Sequence, residues 1–286
     1  MLATNKNITF LIDRQYVTNG FPELIFSKGK SAKITIKYAE NLFGENNEKG
    51  DRNNIENKQL LGYYDEVISN GNVAQKFIPN WMRTFRFIAF EITTKDQELI
   101  LEKFVNHRSR TTIPSIAKFR SDNTLYNDIF DICKRTIDIC TQDYFLSDAY
   151  YETMQYVGDT KIQALIWQAM SGNTAHTKNA IRQFDHSRDS DGNILGAYPL
   201  RSTFIYPTYS LVWVDMIADY YKTSGDKAFI HTYKDGIVNT LAGFEKNMNE
   251  LNLVNKTPYR YFVDWYTGPN NGSGTATKND GLNSAV

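Results

Sequence analysis

The sequence predicts a multidomain α and β protein, with an N-terminal antiparallel β-sandwich followed by an all-α domain. Apolar and polar residues alternate with period two through the first hundred residues, and from about Asp122 the apolar residues recur at helical spacing. A length of 286 residues favours two domains, because single hydrophobic cores stop growing near this size. We expect a jelly-roll-like accessory domain over 1–117 and a helical domain over 118–286.

Half-buried strands are the best interpretation of the first half. Their side chains alternate between apolar and polar, as on a sheet with one face on the core and one in water. A polar stretch, Gly44–Asn57, separates them and predicts a long loop. The predicted strands are Ile8–Ile12, Lys33–Tyr38, Phe85–Ile92 and Leu99–Val105.

Helical periodicity begins at the 118–123 break. Leu125, Ile129 and Ile132 repeat at helical spacing toward Cys140, and Asp122 is the expected N-cap. Turn signals rich in Ser, Gly, Asn and Asp divide the later segments. These further predicted helices are Ile162–Met170, Thr174–Phe184, Tyr209–Tyr221 and Lys227–Asn249.

Composition excludes several kinds of partner. Lys plus Arg and Asp plus Glu are equal at 32 each, so no net field attracts nucleic acid or an anionic membrane. No apolar run approaches about 18 residues, so we expect no membrane insertion. The start, Met1–Lys6, does not resemble an export signal. The aromatic fraction of 14% suits sugar-stacking clefts and an ordinary core equally.

Cofactor and metal motifs are weak throughout the sequence. Gly29-Lys30-Ser31 lacks the upstream glycine of a phosphate loop, because Leu24 stands there. The stretch Asp189–Asn193 resembles part of a calcium loop without its later glutamate, and a polar turn is the better interpretation. The four histidines are scattered. The sequence therefore predicts no cofactor and no metal.

The segment Phe145–Asp159 concentrates carboxylates beside aromatic rings. That combination suits glycoside hydrolysis, because a ring stacks on a sugar and an apolar surround raises a carboxyl pKa so that the group stays protonated. From composition alone, the alternative that Asp148 caps a helix and Glu152 lies on a solvated face stays open. The segment's carboxylates and tyrosines are Asp148, Tyr150, Tyr151, Glu152, Tyr156 and Asp159.

This segment resembles the core signature of glycoside hydrolase family 78, the α-L-rhamnosidases. The similarity covers Tyr150–Glu152 and Gln155–Leu165 and extends along the whole chain in the family's order. Trp81–Phe87 resembles the family's strand signature just before the catalytic domain. Other matching segments are Tyr38–Glu40, Lys49–Asn53, Gly62–Asp65, Asn179–Arg188 and Phe262–Trp265.

The resemblance implies an (α/α)6 barrel of which this chain carries the N-terminal half, and an inverting exo-glycosidase that removes terminal α-L-rhamnosyl residues. Inversion needs one carboxylic acid to protonate the leaving oxygen and a second carboxylate to activate water. Glu152 matches the family's general acid. The implied partner is a rhamnose-containing carbohydrate. The implied substrate-binding residues are Asp148, Tyr150, Tyr156, Asp159, Asp264 and Trp265.

Two departures from the family limit these expectations. Ser147 stands where the family usually has an Asp, so Asp148 is expected to take over that contact, or the sugar differs. The family's general base lies far downstream, so we expect no activity from this chain alone and self-association of its uncovered apolar faces. Two alternatives stay open, a non-catalytic carbohydrate-binding protein and an (α/α)6-barrel glycosidase acting on another sugar.

Overall fold

The chain forms two compact units in a computed structural model that describes residues 1–254, 259 and 262. The first unit comprises Met1–Arg110 together with Ala149–Tyr151, and the second comprises Thr111–Asp148 and the chain from Glu152 onward. An antiparallel β unit followed by helices confirms the predicted fold class. The predicted boundary between residues 117 and 118 stays a prediction.

The first unit is built on an antiparallel sheet of six strands. The strands are β1 (Asn7–Lys28), β2 (Lys33–Ala39), β3 (Tyr63–Ile68), β4 (Gln75–Phe77), β5 (Arg83–Thr93) and β6 (Leu99–His107). Their order in the sheet is β3-β2-β5-β1-β4, and β6 also pairs with β1.

The long strand β1 joins the two halves of this sheet. Its residues 7–20 pair with β5, and residues 21–28 pair with β6. The pairing shifts between Asp13 and Thr18, and such a bulge bends a strand. Gly20 has φ +151°, and a Cβ there would lie 2.4 Å from the carbonyl oxygen of His107. Because only glycine fits here, β1 can pass from one half of the sheet to the other, and the sheet curls.

The buried face of the sheet carries the core of the first unit. The four predicted strands are all present, and β1 runs further than its predicted segment. The sequence did not predict β3 and β4. The β3 side chains are largely exposed and β4 has three residues, so neither carries a strong alternating pattern. The fully buried residues of this core include Leu24, Phe26, Ile34, Tyr38, Phe85, Phe90 and Leu99.

Helices form the second unit. In the described residues these are α1 (Thr124–Cys140), α2 (Val157–Ser171), α3 (Ala175–His186), α4 (Pro207–Ser224), α5 (Lys227–His231) and α6 (Lys234–Glu245). The helix α2 packs against α3 and α4, and α4 also contacts α5 and α6.

The N-cap of the first helix and the continuity of the last predicted helix differ from the sequence prediction. The N-cap of α1 is Asn123, not Asp122, because the Asn123 side chain accepts a hydrogen bond from the Leu125 amide. The predicted helix over 227–249 is divided into α5 and α6. The division lets Tyr233 bury its ring in edge-to-face contact with Trp213, with centroids 6.1 Å apart.

Two tryptophans centre the core of the second unit. Trp167 on α2 and Trp213 on α4 are fully buried, and the indole N–H of Trp213 donates to the carbonyl oxygen of Ile181 at 3.1 Å. Buried aromatic residues of this size typically cost about 3–5 kcal/mol when truncated to alanine. Helices α2, α3 and α4 are therefore held together around these two rings. Within the described part of the chain, no helix has the length and apolarity to cross a membrane.

Candidate active site

The loop between α1 and α2 carries Glu152, and buried hydrogen bonds fix its shape. Gln155 is 1% exposed, and its side-chain amide donates to Gln183 Oε1 and to the carbonyl oxygen of Tyr198, both at 2.8 Å. The Gln155 side-chain oxygen accepts from the Phe145 amide at 3.2 Å. Because one buried side chain links α3, the loop before α4 and the start of this loop, the main chain beside Glu152 is well defined.

Ser147 closes the same loop on itself. Its amide donates to the carbonyl oxygen of Met154 at 2.8 Å, and its hydroxyl accepts from the Tyr156 amide at 3.0 Å. The residue at the family's usual Asp position therefore serves here as a bridge across the loop.

Thr153 follows Glu152 directly and has φ +46°. A β-branched residue rarely adopts this left-handed conformation, and such strain persists only where the surroundings enforce it. The Thr153 amide donates to the carbonyl oxygen of Asp148 at 2.9 Å, which helps to hold this conformation. Strained backbone beside a candidate catalytic group is consistent with a functional loop.

Carboxyl groups gather around Glu152. Partial desolvation is the largest cause that raises the pKa of Glu152, although the side chain still reaches solvent, and the negative charges of Asp159 and Asp148 raise it further. A raised pKa keeps the carboxyl protonated to higher pH than an ordinary glutamate, which is the state that a general acid needs. The structure thus brings together Glu152, Asp148 and Asp159.

Asp159 lies in the first turn of α2 and is exposed. The unpaired amide groups of a helix N-terminus favour a negative charge there. Two neighbouring carboxyl groups are therefore in different surroundings, since Glu152 is partly desolvated and Asp159 is exposed at the start of a helix. Such a division suits a proton donor beside a hydrogen-bond acceptor for sugar hydroxyls.

Aromatic rings line one side of this cluster. Burial raises the pKa of Tyr156 first, followed by the charges of Glu152, Tyr206 and Asp159, so the phenol lies among these groups. The Tyr156 ring centroid is 5.9 Å from that of Phe204, which is 5.1 Å from that of Tyr206. We call Tyr156, Phe204 and Tyr206 the aromatic wall.

Sequence reasoning missed Phe204 and Tyr206. Both precede Pro207, the first residue of α4, and a proline at a helix start was the available signal for a loop that ends there. Gly196 gives these rings room, because a Cβ on it would lie 2.3 Å from the Phe204 ring. The ring of Phe262 stacks on Tyr206 with centroids 4.6 Å apart. Asp264 and Trp265, which the sequence assigned to substrate binding, lie outside the described residues.

Tyr150 belongs to the first unit. It is 6% exposed, its hydroxyl donates to the carbonyl oxygen of Tyr38 at 2.8 Å, and its ring lies 5.3 Å from that of Tyr63. The predicted sugar contact is therefore a buried side chain with contacts inside the β unit.

The segment Trp81–Phe87, which resembles the family's strand signature, contains two arginines that form ion pairs. Arg83 makes two hydrogen bonds to Asp65, at 2.5 and 3.0 Å. Arg86 makes two more to Asp13, at 2.9 and 3.0 Å, and a third to Asn53. Planar guanidinium groups bind carboxylates in this two-pronged way. The family-like segments of the β unit thus meet through structural contacts.

Other possible sites receive little support. Among the residues that the structure describes, no group of three or more His, Cys, Asp or Glu side chains is arranged to hold a metal ion. Asp189 binds the amides of Asp191 and Asn193, as a turn residue does. A cavity of about 370 Å³ lies between α6 and this turn, and none of the predicted site residues in the described part lines it.

The chain thus combines a curled antiparallel β unit with a helical unit. In the helical unit, the loop between α1 and α2 carries clustered carboxyl groups beside aromatic rings, as in a glycoside hydrolase. The chain belongs to the family described as the bacterial α-L-rhamnosidase six-hairpin glycosidase domain, whose model matches residues 114–286. No curated protein matches the chain closely enough to count as a relative.

Solved structures share the fold. The rhamnosidase of Bacillus sp. GL1 from glycoside hydrolase family 78 has a TM-score of 0.81 at 18% identity, over 93% of this chain and 27% of that one. A Klebsiella oxytoca rhamnosidase with rhamnose bound has a TM-score of 0.75 at 14% identity, over 90% and 52%. An Aspergillus terreus α-L-rhamnosidase has a TM-score of 0.61 at 16% identity, over 99% and 34%. The chain thus spans between 27% and 52% of the length of these proteins.

Proposed function

We propose that this chain contributes the general-acid half of an inverting exo-glycosidase that hydrolyses terminal α-L-rhamnosyl residues. The observation that carries the proposal is the position of Glu152 beside Asp148, Asp159 and Tyr156, where partial desolvation and two like charges raise its pKa. Membership of the rhamnosidase domain family supports the choice of sugar.

In the proposed mechanism, Glu152 donates its proton to the glycosidic oxygen as the bond to the anomeric carbon breaks. A second carboxylate on the opposite face of the sugar takes a proton from water, and that water attacks the anomeric carbon. The family places this base far downstream, so we propose that sequence beyond residue 286 supplies it in a longer parent enzyme.

The remaining residues bind the sugar in this proposal. Asp148 and Asp159 accept hydrogen bonds from its hydroxyl groups, and the aromatic wall packs against its carbon face. Asp264 and Trp265 keep their proposed roles as downstream contacts. The predicted contact between Tyr150 and the sugar stays a prediction.

Ser147 favours a second candidate, a barrel glycosidase that acts on another sugar. Its hydroxyl accepts a hydrogen bond from the Tyr156 amide, and it lacks the negative charge of the carboxylate that the family usually has at this place. Asp148 then has to make the hydroxyl contact from the next position.

A panel of aryl glycosides assayed with the parent enzyme tests the proposal and separates the two candidates. We expect hydrolysis of the α-L-rhamnoside to exceed that of the glucoside, the fucoside and an unsaturated uronide. Faster hydrolysis of the glucoside, the fucoside or the uronide would favour the second candidate, a glycosidase that acts on another sugar.

The 286-residue chain alone provides a separate test. Because the proposal places the base beyond residue 286, the chain is expected to bind rhamnose in calorimetry but not to release aryl alcohol. Turnover by this chain at the rate of the parent would contradict the assignment of the base to downstream sequence.

A further inference from the structure

The chain crosses between its two units on either side of Tyr150. Ala149–Tyr151 belong to the first unit, whereas Asp148 and Glu152 belong to the second. The proposed acid is therefore joined covalently to a short segment that belongs to the β unit. This arrangement matters because Glu152 comes two residues after Tyr150.

Tyr150 fastens this segment at its phenol group. The hydroxyl donates to the carbonyl oxygen of Tyr38 at 2.8 Å and lies 3.4 Å from the amide nitrogen of Tyr63, which donates to it. The ring packs against those of Tyr63 and Tyr151, with centroids 5.3 and 4.6 Å away. A buried donor paired with a strand carbonyl is costly to break, because both groups would be left without water.

Gly62 provides the space for this hydrogen bond. A Cβ on Gly62 would lie 2.4 Å from the Tyr150 hydroxyl and 2.0 Å from the carbonyl oxygen of Tyr38. Both distances are shorter than any van der Waals contact allows. Every side chain other than hydrogen at this position would therefore displace the phenol group.

The anchor persists at all ordinary pH values. Burial is the largest cause that raises the pKa of Tyr150 to about 12, so the phenol keeps the proton that it donates. On the other side of Glu152, Thr153 holds its strained φ of +46°. The acid is thus set between an anchored residue and a strained one, and the surroundings have to enforce that strain.

We propose that Tyr150 is a positioning residue, whose hydrogen bond to Tyr38 holds the backbone that places Glu152 beside Asp148 and Asp159. The proposal rests on the proposed function of Glu152 as the acid. Without the anchor, the loop relaxes, Glu152 gains water and moves away from the two like charges, and the carboxyl loses its proton at lower pH.

A carbon-13 NMR titration of glutamate carboxyl groups in the 286-residue chain tests this directly. The resonance that disappears in Glu152→Gln identifies Glu152. Tyr150→Phe removes only the hydroxyl, and Gly62→Ala obstructs the same hydrogen bond without changing Tyr150. Tyr64→Phe is the matched control, because Tyr64 is an exposed tyrosine next to Tyr63 on the same strand.

We expect the titration midpoint of Glu152 to move down toward the ordinary value of about 4.3 in Tyr150→Phe and Gly62→Ala, and to stay in place in Tyr64→Phe. An unchanged midpoint in Tyr150→Phe would overturn the positioning role. Equal shifts in Tyr150→Phe and Tyr64→Phe would also overturn it, because they would reflect a general loosening.

Kinetics with the parent enzyme separate this proposal from the proposed function. If Glu152 is the acid and Tyr150 positions it, Tyr150→Phe lowers kcat about tenfold for an alkyl rhamnoside, and by less than about twofold for an activated aryl rhamnoside that needs little protonation. A rise in KM alone would instead make Tyr150 a sugar contact. If Glu152→Gln spares the alkyl substrate, the acid assignment fails, whatever Tyr150→Phe does.

Discussion

At the scale of single residues, the environment of Glu152 gives a carboxyl group its proposed role. Desolvation and the charges of Asp159 and Asp148 raise its pKa, and Tyr156 shares the same surroundings. Compared with an ordinary glutamate, Glu152 therefore keeps its proton to higher pH, as a general acid requires. The same residue type is a simple surface charge elsewhere in the chain, as at Glu245 on α6. The residues around Glu152 therefore determine its proposed role.

Removing one of the like charges should change the pH dependence. Asp148→Asn takes away a negative charge that raises the pKa of Glu152, so that pKa falls and the acid loses its proton at lower pH. The basic limb of the kcat/KM profile of the parent enzyme should then move to lower pH. Asp143→Asn, an exposed carboxylate earlier in the same loop, is the control and should leave the limb in place. A limb that stays in place in Asp148→Asn would contradict the account.

At the scale of helices and strands, periodicity predicted most of the architecture. The alternating pattern gave four of the six strands, and helical spacing located the helical segments. Periodicity did not predict the elements whose burial depends on residues that are distant in sequence. The edge strand β3 is largely exposed, and the break between α5 and α6 follows the burial of Tyr233 against Trp213. Local sequence contains neither of these contacts.

The candidate site was predictable only in part, for the same physical reason. Asp148, Glu152 and Asp159 come together because they share one short stretch of sequence. Phe204 and Tyr206 complete the aromatic wall from a distant loop, and nothing in their local sequence indicates a partner in Tyr156. The burial of Tyr150 in the first unit depends on contacts with Tyr38, far away in the chain.

The start of α1 offers a test at this scale. Asn123→Ala removes the side chain that accepts from the Leu125 amide at 3.0 Å, and should lower the free energy of unfolding by about 1 kcal/mol. Asp122→Ala should cost less than half as much, because Asp122 does not make that hydrogen bond. Urea denaturation followed by circular dichroism measures both. A larger loss in Asp122→Ala would mean that the cap lies one residue earlier.

At the scale of the whole molecule, several helices expose apolar side chains. On α1, Leu125 is 58% exposed and Ile132 is 56% exposed, and on α2, Ile162 is 61% exposed. Exposed apolar side chains that share a helix face mark places where other protein normally packs. The solved relatives are longer than this chain, so they have additional sequence that could cover such faces.

We expect this chain to self-associate through these faces when it is produced alone. Replacing Leu125, Ile129 and Ile132 on α1 together by Gln should shift the equilibrium toward monomer in analytical ultracentrifugation, since it removes exposed apolar side chains from one face of the helix. A triple variant at the charged positions Asp128, Asp131 and Arg135 of the same helix is the control. A wild-type chain that stays monomeric at its solubility limit would contradict this expectation.

The central claim is that Glu152 protonates the leaving oxygen, and the dependence of rate on the leaving group tests it most directly. In the parent enzyme, Glu152→Gln should lower kcat/KM for an alkyl α-L-rhamnoside by about 10²–10⁴-fold and affect a dinitrophenyl rhamnoside far less, while Glu245→Gln changes neither. Near-normal turnover of the alkyl rhamnoside by Glu152→Gln would show that the proton comes from another group.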